Sequence, residues 1–234
     1  MELSIIIPVY NEQDTIELVL SQLLVLRYPE SVISVEFIVV DDCSSDDSFS
    51  IVNRISNQNT RVNVIRNEKN LGKGASVRKG IENSKGDTIL VRDADLELSV
   101  NDIPSMIQAM NELNVEFING SRYMAGINRP LASYRRYLIN RFFTFLTSVI
   151  INVKLTDMAC GYKLFKRSLY DQIHLKENRF GFEAEILIKA LRIKPNNIAE
   201  VPVRYFPRQK SGGKKLRNID GFKILWAIFK YGLF

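Results

Sequence analysis

Four apolar runs, each closed by polar or acidic residues, constrain this chain more than anything else in it. Leu3 to Val9 is almost wholly apolar, is broken near its end by Pro8, and gives way to Tyr10-Asn11-Glu12. Val35 to Val40 ends in Asp41-Asp42 and Ser44-Ser45-Asp46-Asp47, residues that suit the start of a helix. Val62 to Ile65 leads to Asn70-Leu71-Gly72-Lys73-Gly74, and Thr88 to Leu90 leads to Val91-Arg92-Asp93-Ala94-Asp95-Leu96-Glu97. A strand without alternation is buried on both faces. Amphipathic helical segments lie between these strands, which predicts an α/β fold: a Rossmann-like, mostly parallel central sheet with helices on both faces. Ligands of such sheets bind at the carboxyl ends of the strands, where Tyr10, Asn11, Glu12, Asp41, Asp42 and the acidic triplet all fall.

If Asp93, Asp95 and Glu97 continue a strand, they share one side, since side chains alternate and the chain rises roughly 3.3 Å per residue. Three carboxylates on one edge need a cation between them. Mg²⁺ or Mn²⁺ fits, because these ions take a few protein carboxylates and complete their shell with phosphate oxygens. The plainer alternative is an acidic strand-to-helix loop in which Asp caps the helix.

Taken together, Ile7-Pro8-Val9-Tyr10-Asn11-Glu12, Val39-Val40-Asp41-Asp42, Asn70-Leu71-Gly72-Lys73-Gly74 and Asp93-Ala94-Asp95 resemble the inverting, GT-A-fold glycosyltransferases of family two. Gly72-Lys73-Gly74 by itself would be uninformative, lacking both the Walker spacing and a dinucleotide fingerprint. The resemblance implies a nucleotide-sugar donor, with Pro8, Tyr10, Glu12 and Asp41 around base and ribose. Asp42, Lys73 and Ala94 belong to the same donor motifs. It further implies Asp93 near the ribose and Asp95 on the metal that bridges the diphosphate; Glu97, from the acidic triplet, is a further candidate ligand.

At 234 residues, 46% of them hydrophobic, the chain can bury one sizeable core, and no Pro/Gly/Ser-rich linker divides it. One domain over 1–234 is expected, with a nucleotide-sugar half (1–97), an acceptor half with a basic loop (98–217) and a terminal amphipathic helix (218–234). Cys43 and Cys160 do not make a disulfide framework and read as reduced thiols. The lone His174 cannot build a histidine metal site or an obvious Ser-His triad. With the first strand starting at Leu3, no room is left for a signal peptide, so a cytoplasmic enzyme is expected.

The net charge of +6 raises a different class, a nucleic-acid or nucleotide-binding module. The intact D-x-D argues against it, and no nucleic-acid partner is expected. The charge concentrates between Arg204 and Arg217, a stretch without an acid. This run stands between an expected strand, Ala199 to Tyr205, and an apolar terminal helix. Arg208 and Lys214 are its candidates for closing over a donor diphosphate.

The carboxyl-terminal half addresses the acceptor. Gly120-Ser121-Arg122-Tyr123 places an arginine just past an expected fifth strand, Val115 to Asn119. Arg136, Asn140, Thr144 and Thr147 recur at helical spacing along Tyr134 to Val153, a polar stripe that either meets the acceptor or faces water. These segments, with Thr156 to Lys163, Phe180 to Glu185 and Glu200 to Val203, resemble the polyprenyl-phosphate sugar synthase branch typified by dolichyl-phosphate mannose synthases. That likeness implies a polyprenyl or dolichyl phosphate acceptor held by Arg122, Arg136 and Asn140, with Arg208 on the donor diphosphate. Asp157 is a separate candidate for orienting the arginine cluster or the acceptor. Glu97 stands where that branch has glutamine, and Asn140 where it has serine. Glu183 and Glu185 open a helix, where acids favour the dipole without any catalytic duty; a base at either would favour transfer to a sugar hydroxyl instead.

No segment supplies the ~20 apolar residues that cross a bilayer. Ile219 to Phe234 places Lys223 and Lys230 on one side among large apolar residues, a pattern shared by core helices and helices lying in a membrane surface. Peripheral association with an anionic membrane face is expected, with a separate membrane protein as a further partner.

Overall fold

The computed structural model describes residues 1–124, 133–207 and 218–233, the side chains of 218–220 excepted. Seven strands form one sheet: β1 (Glu2–Val9), β2 (Ser34–Asp41), β3 (Val62–Arg66), β4 (Thr88–Val91), β5 (Phe117–Ser121), β6 (Lys163–Lys166) and β7 (Ile198–Pro202). Their order is β3-β2-β1-β4-β6-β5-β7. β1 to β4 pair in parallel, β6 runs antiparallel to both β4 and β5, and β5 pairs in parallel with β7. The mostly parallel sheet is therefore as expected, with one reversed strand joining its two halves.

Among the described residues eight α-helices cover it: α1 (Ile16–Val25), α2 (Ser48–Gln58), α3 (Lys73–Glu82), α4 (Ile103–Glu112), α5 (Tyr134–Ile151), α6 (Arg167–Tyr170), α7 (Phe182–Ile193) and α8 (Asn218–Leu233). The apolar runs explain why the layers hold. On β1, Ile5 and Ile7 enter one core with α1 and α4, while Ile6 enters the other with α3, α7 and α8. Each fully buried Ile or Leu contributes about 1.5–3 kcal/mol. The central strands thus hold both faces at once.

Three boundaries differ from expectation. The fifth strand starts at Phe117 rather than Val115, because Asn114 takes the left-handed conformation (φ 50) and the Val115 amide closes α4 on Met110 O. The seventh ends at Pro202, since the Arg204 amide and guanidinium both turn to Asp102. The fourth ends at Val91, so Asp93, Asp95 and Glu97 occupy a loop and strand alternation does not align them.

Candidate functional site

The loop after β4 wraps around a buried cation. Arg92 is 1% exposed, donates from Nε to Tyr162 Oη (3.1 Å), and reaches Asp95 O (3.4 Å) and Leu98 O (3.5 Å) with Nη2. Asp95 Oδ1 accepts the Glu97 amide at 3.1 Å, which folds the acidic segment back on itself. Thr15 Oγ1 donates to Ala94 O (2.9 Å) and lies 3.1 Å from Glu12 Oε2, tying the end of β1 to the same loop.

Asp93 turns the other way. Its carboxylate meets Lys73 Nζ at 2.5 Å, and the same ammonium meets Glu183 Oε1 at 2.5 Å. Burial opposes the Lys73 charge, but the two carboxylates outweigh it and raise its pKa. Burial likewise opposes the Asp93 charge, and Lys73 outweighs it to hold that carboxyl below its ordinary value. Gly161 is required here, since a Cβ at that position would come within 2.2 Å of Asp93 Oδ2.

The ends of β1 and β2 form the adjoining part. Asp42 accepts the Leu71 and Gly72 amides (2.9 and 2.7 Å) and Asn67 Nδ2 (2.8 Å), so it braces the Asn70–Gly72 loop that delivers Lys73. Asp41 is fully buried; Oδ2 accepts Ser44 N (3.2 Å) and pairs with Arg66, while Oδ1 has no hydrogen-bond partner among the described residues. A buried oxygen without a partner is uncommon and costly. Asn11, in the left-handed region (φ 53), accepts the Ser45 amide and so turns the chain beneath Tyr10, which is half-exposed. Pro8 closes β1 just before them.

Arg122 follows β5. Asp157, fully buried, accepts from its Nε (2.7 Å) and Nη2 (2.9 Å), and Ala159 O accepts a further bond (3.1 Å). Glu200 on β7 fixes Asp157 in turn, accepting from the Thr156 and Asp157 amides and from Asn119 Nδ2. Burial opposes the Arg122 charge, but Asp157 outweighs it and raises the pKa. The guanidinium lies over the Tyr205 ring (5.5 Å to its centroid), and Tyr205 is bridged to Leu98, next to Glu97. Arg122 therefore stands one aromatic ring from the acidic loop. Asn140 Nδ2 donates to Tyr123 Oη (3.2 Å), bringing α5 to this point, and Arg136 is exposed on the first turns of that helix. Thr144 and Thr147 are buried, so the polar stripe turns into the core along its length.

Glu183 and Glu185 open α7 as expected. Glu185 is fully buried and accepts the Lys176 and Glu177 amides and Lys189 Nζ. His174 is on the surface, and Cys43 and Cys160 are free, with burial pushing the Cys160 thiol up to about 12. Arg208 and Lys214 lie outside the described residues. Arg92, Asn119, Glu200 and Tyr205 were not singled out in the sequence; a charged residue closing a wholly apolar strand was the available signal for Arg92.

Among the described residues no three His, Cys, Asp or Glu side chains converge to hold an ion by themselves. With Asp93 held by Lys73, a three-carboxylate cage is not formed. The donor set of Asp95 and Glu97 instead fits an ion that takes few protein oxygens and is completed by a diphosphate.

The model of the glycosyl transferase family 2 matches residues 4–174. Over 228 residues the chain is 25% identical to glycosyltransferase AglD of Haloferax volcanii, covering 94% of this chain and 36% of that protein. Over 232 residues it is 28% identical to dolichol-phosphate mannosyltransferase of Pyrococcus furiosus, covering 98% of this chain and 63% of the relative. It thus spans about a third and under two thirds of these two proteins. The glucosyl-3-phosphoglycerate synthase of Mycobacterium tuberculosis, solved with Mn²⁺, UDP-glucose and phosphoglyceric acid, superposes with a TM-score of 0.72 at 18% identity, over 99% of this chain and 79% of that one. The fold is accordingly GT-A, Rossmann-like.

Proposed function

The chain belongs to glycosyl transferase family 2, and from that premise we propose that it moves a hexose, with inversion, from a nucleotide sugar of the GDP-mannose or UDP-glucose type to a polyprenyl phosphate. The product is a β-linked lipid-phosphate sugar. The observation that carries this reading is Arg122, oriented by Asp157 through two hydrogen bonds and set one ring away from the acidic loop. With Nε and Nη2 taken by Asp157 and Ala159 O, Nη1 is the part of the guanidinium left to make a charge-assisted bond to a phosphate oxygen.

A phosphate acceptor brings an oxygen already anionic near pH 7, because its second pKa is about 6. The site then needs cations to draw two anions together, and Arg122 with Arg136 supplies them, Asn140 standing beside. A sugar hydroxyl would need a general base. The α7 carboxylates are engaged elsewhere, Glu183 with Lys73 and Glu185 with Lys189 and two amides, which favours the phosphate reading. The resemblance to a dolichol-phosphate mannosyltransferase supports the same acceptor class.

On the donor side, the unpaired Asp41 Oδ1 suits an N–H of the base, with Pro8, Tyr10 and Glu12 around it. Asp42 and Lys73 act by bracing the loops that present Asp93 and Ala94 to the ribose. Asp95 and Glu97 would hold Mg²⁺ or Mn²⁺, which when bound offsets the diphosphate charge. Arg208 and Lys214 are assigned to the diphosphate on sequence resemblance alone. No helix among the described residues is long and apolar enough to cross a membrane. The lipid acceptor proposed here is the reason we place the enzyme peripherally, on a cytoplasmic membrane face.

The test is a panel of labelled nucleotide sugars offered to the purified protein with polyprenyl phosphate and Mg²⁺ or Mn²⁺. A lipid-soluble product that mild acid releases as free sugar is expected. Label appearing only in acid-stable glycosides would replace the phosphate acceptor with a hydroxyl.

A further inference from the structure

We propose that α5 and α8 together form a docking face for an anionic lipid bilayer. Soluble helices bury one stripe and wet the other, yet both of these helices bury one apolar stripe and expose a second. On α5 the exposed stripe is Tyr134, Leu138, Phe142, Phe145 and Val149, at steps of three or four residues, with Phe145 66% exposed. On α8 it is Phe222, Trp226, Phe229 and Leu233, at the same steps, with Phe222 73% and Trp226 67% exposed.

The two stripes open on the same side. Phe143 faces Gly221 and Ile150 faces Gly232, so the helices run alongside each other in the same direction; a Cβ on Gly232 would come within 2.5 Å of Ile150. Phe143 on α5 and Ile224, Ala227, Ile228 and Tyr231 on α8 enter the core shared with α7. With core behind and seam between, both exposed stripes are left on the outside.

The surroundings favour an anionic leaflet as the occupant. The α5 sequence carries Arg135, Arg136 and Arg141 and no acid, Lys154 follows its end, and Lys223 is exposed beside Phe222 on α8. Lys230 is already paired with Glu177 at 3.3 Å and serves the fold. Large apolar side chains flanked by exposed cations, of which Arg141 also donates to Thr156 O, match the acyl boundary and head groups of an anionic membrane, where each Lys or Arg adds about 1 kcal/mol. α5 also begins beside Tyr123 and Arg122, so this surface would bring the tail of a lipid phosphate toward the bilayer, a consequence that rests on the acceptor proposed above.

Trp226 is the single tryptophan of the chain, which makes the face directly readable. The full protein is titrated with vesicles of phosphatidylcholine containing phosphatidylglycerol, some with brominated acyl chains, while tryptophan emission is followed. A blue shift, quenching by the brominated lipid, and at least tenfold weaker binding of a Phe142→Ser, Phe145→Ser double variant with unchanged circular dichroism are expected. Emission indifferent to vesicles would overturn the proposal. So would a shift that follows protein concentration in the absence of lipid, since a second copy would then cover the face. Vesicle binding by a protein that transfers no sugar would uphold the face and remove the acceptor reading. Transfer to a short, water-soluble polyprenyl phosphate by a protein that ignores vesicles would do the reverse.

Discussion

The loops after β1 and β2 and the charged groups set between β4, β5 and α7 are stiffened by different chemistry. At the ends of β1 and β2, Asp42 and Asn11 accept backbone amides, and the loops are pinned mainly by neutral donors, Arg66 on Asp41 being the exception. Around the loop after β4, the start of α7 and the end of β5, charge is fixed by charge: Lys73 lies between Asp93 and Glu183, and Arg122 lies against Asp157. Amide-braced loops keep their geometry when one hydrogen bond weakens. Buried ion pairs do not, because removing one partner strands the other, at about 3–5 kcal/mol. The ion-paired groups should therefore be the brittle ones in stability, and the amide-braced loops the sensitive ones in recognition.

Lys73→Met should break this contrast most visibly. It leaves Asp93 and Glu183 without their shared cation, and a loss of about 3–5 kcal/mol is expected in denaturant unfolding near neutral pH. The sign with pH discriminates. In the parent protein the Asp93 carboxyl is held below its ordinary 3.8, so its contribution is present above that value and lost as pH falls through the lower folded value. In the variant, burial without the lysine favours the neutral carboxyl. Its deficit should accordingly shrink on acidification, and a deficit constant with pH would show that Lys73 acts through packing alone.

Asp95→Asn sharpens the other side. Loss of a ligand carboxylate at the diphosphate should lower turnover on the order of 100-fold, about 2.7 kcal/mol, with melting unchanged because Asp95 is partly exposed and the amide retains an oxygen for Glu97 N. Full activity in a folded variant would refute the metal assignment. Glu200→Gln follows in size. Its carboxylate never reaches the cleft but holds Thr156 and Asp157, so acceptor KM should rise a few-fold while nucleotide binding stays put.

What the sequence made legible follows the same division. β1, β2 and β4 are buried on both faces, and an unbroken apolar run admits few other readings. β6 escaped notice because Lys163-Leu164-Phe165-Lys166 has lysine at each end; Lys163 is nonetheless fully buried, with Nζ on Asn119 Oδ1 at 2.6 Å, and burial lowers its pKa. The site residues at the strand ends were legible from position. Their partners were not: Lys73 is 110 residues from Glu183 and Arg122 is 35 from Asp157, and nothing local in the chain signals such pairs. The α5 stripe misled for a related reason. Thr144 and Thr147 look like a solvent face, yet Thr147 Oγ1 donates to Phe143 O and Met158 N donates to Thr144 Oγ1, so hydroxyls can face a core that supplies partners.

Arg136→Ala tests the smallest step, whether the exposed cation on α5 shares the acceptor with the buried one on β5. Arg136 is exposed and has no ion pair among the described residues, so the fold should be indifferent, within about 0.5 kcal/mol. A charge-assisted bond to phosphate is worth about 1.5 kcal/mol at such a position, which predicts roughly tenfold weaker acceptor use at unchanged donor binding. Arg136→Lys discriminates further: a point charge recovers part of an electrostatic effect but not a guanidinium fork. Partial recovery would assign Arg136 to steering an anion toward Arg122, and none would give it a fixed phosphate contact of its own. If neither variant moves acceptor KM, Arg122 holds the acceptor without it, and the anion site is confined to the ion-paired end of the sheet.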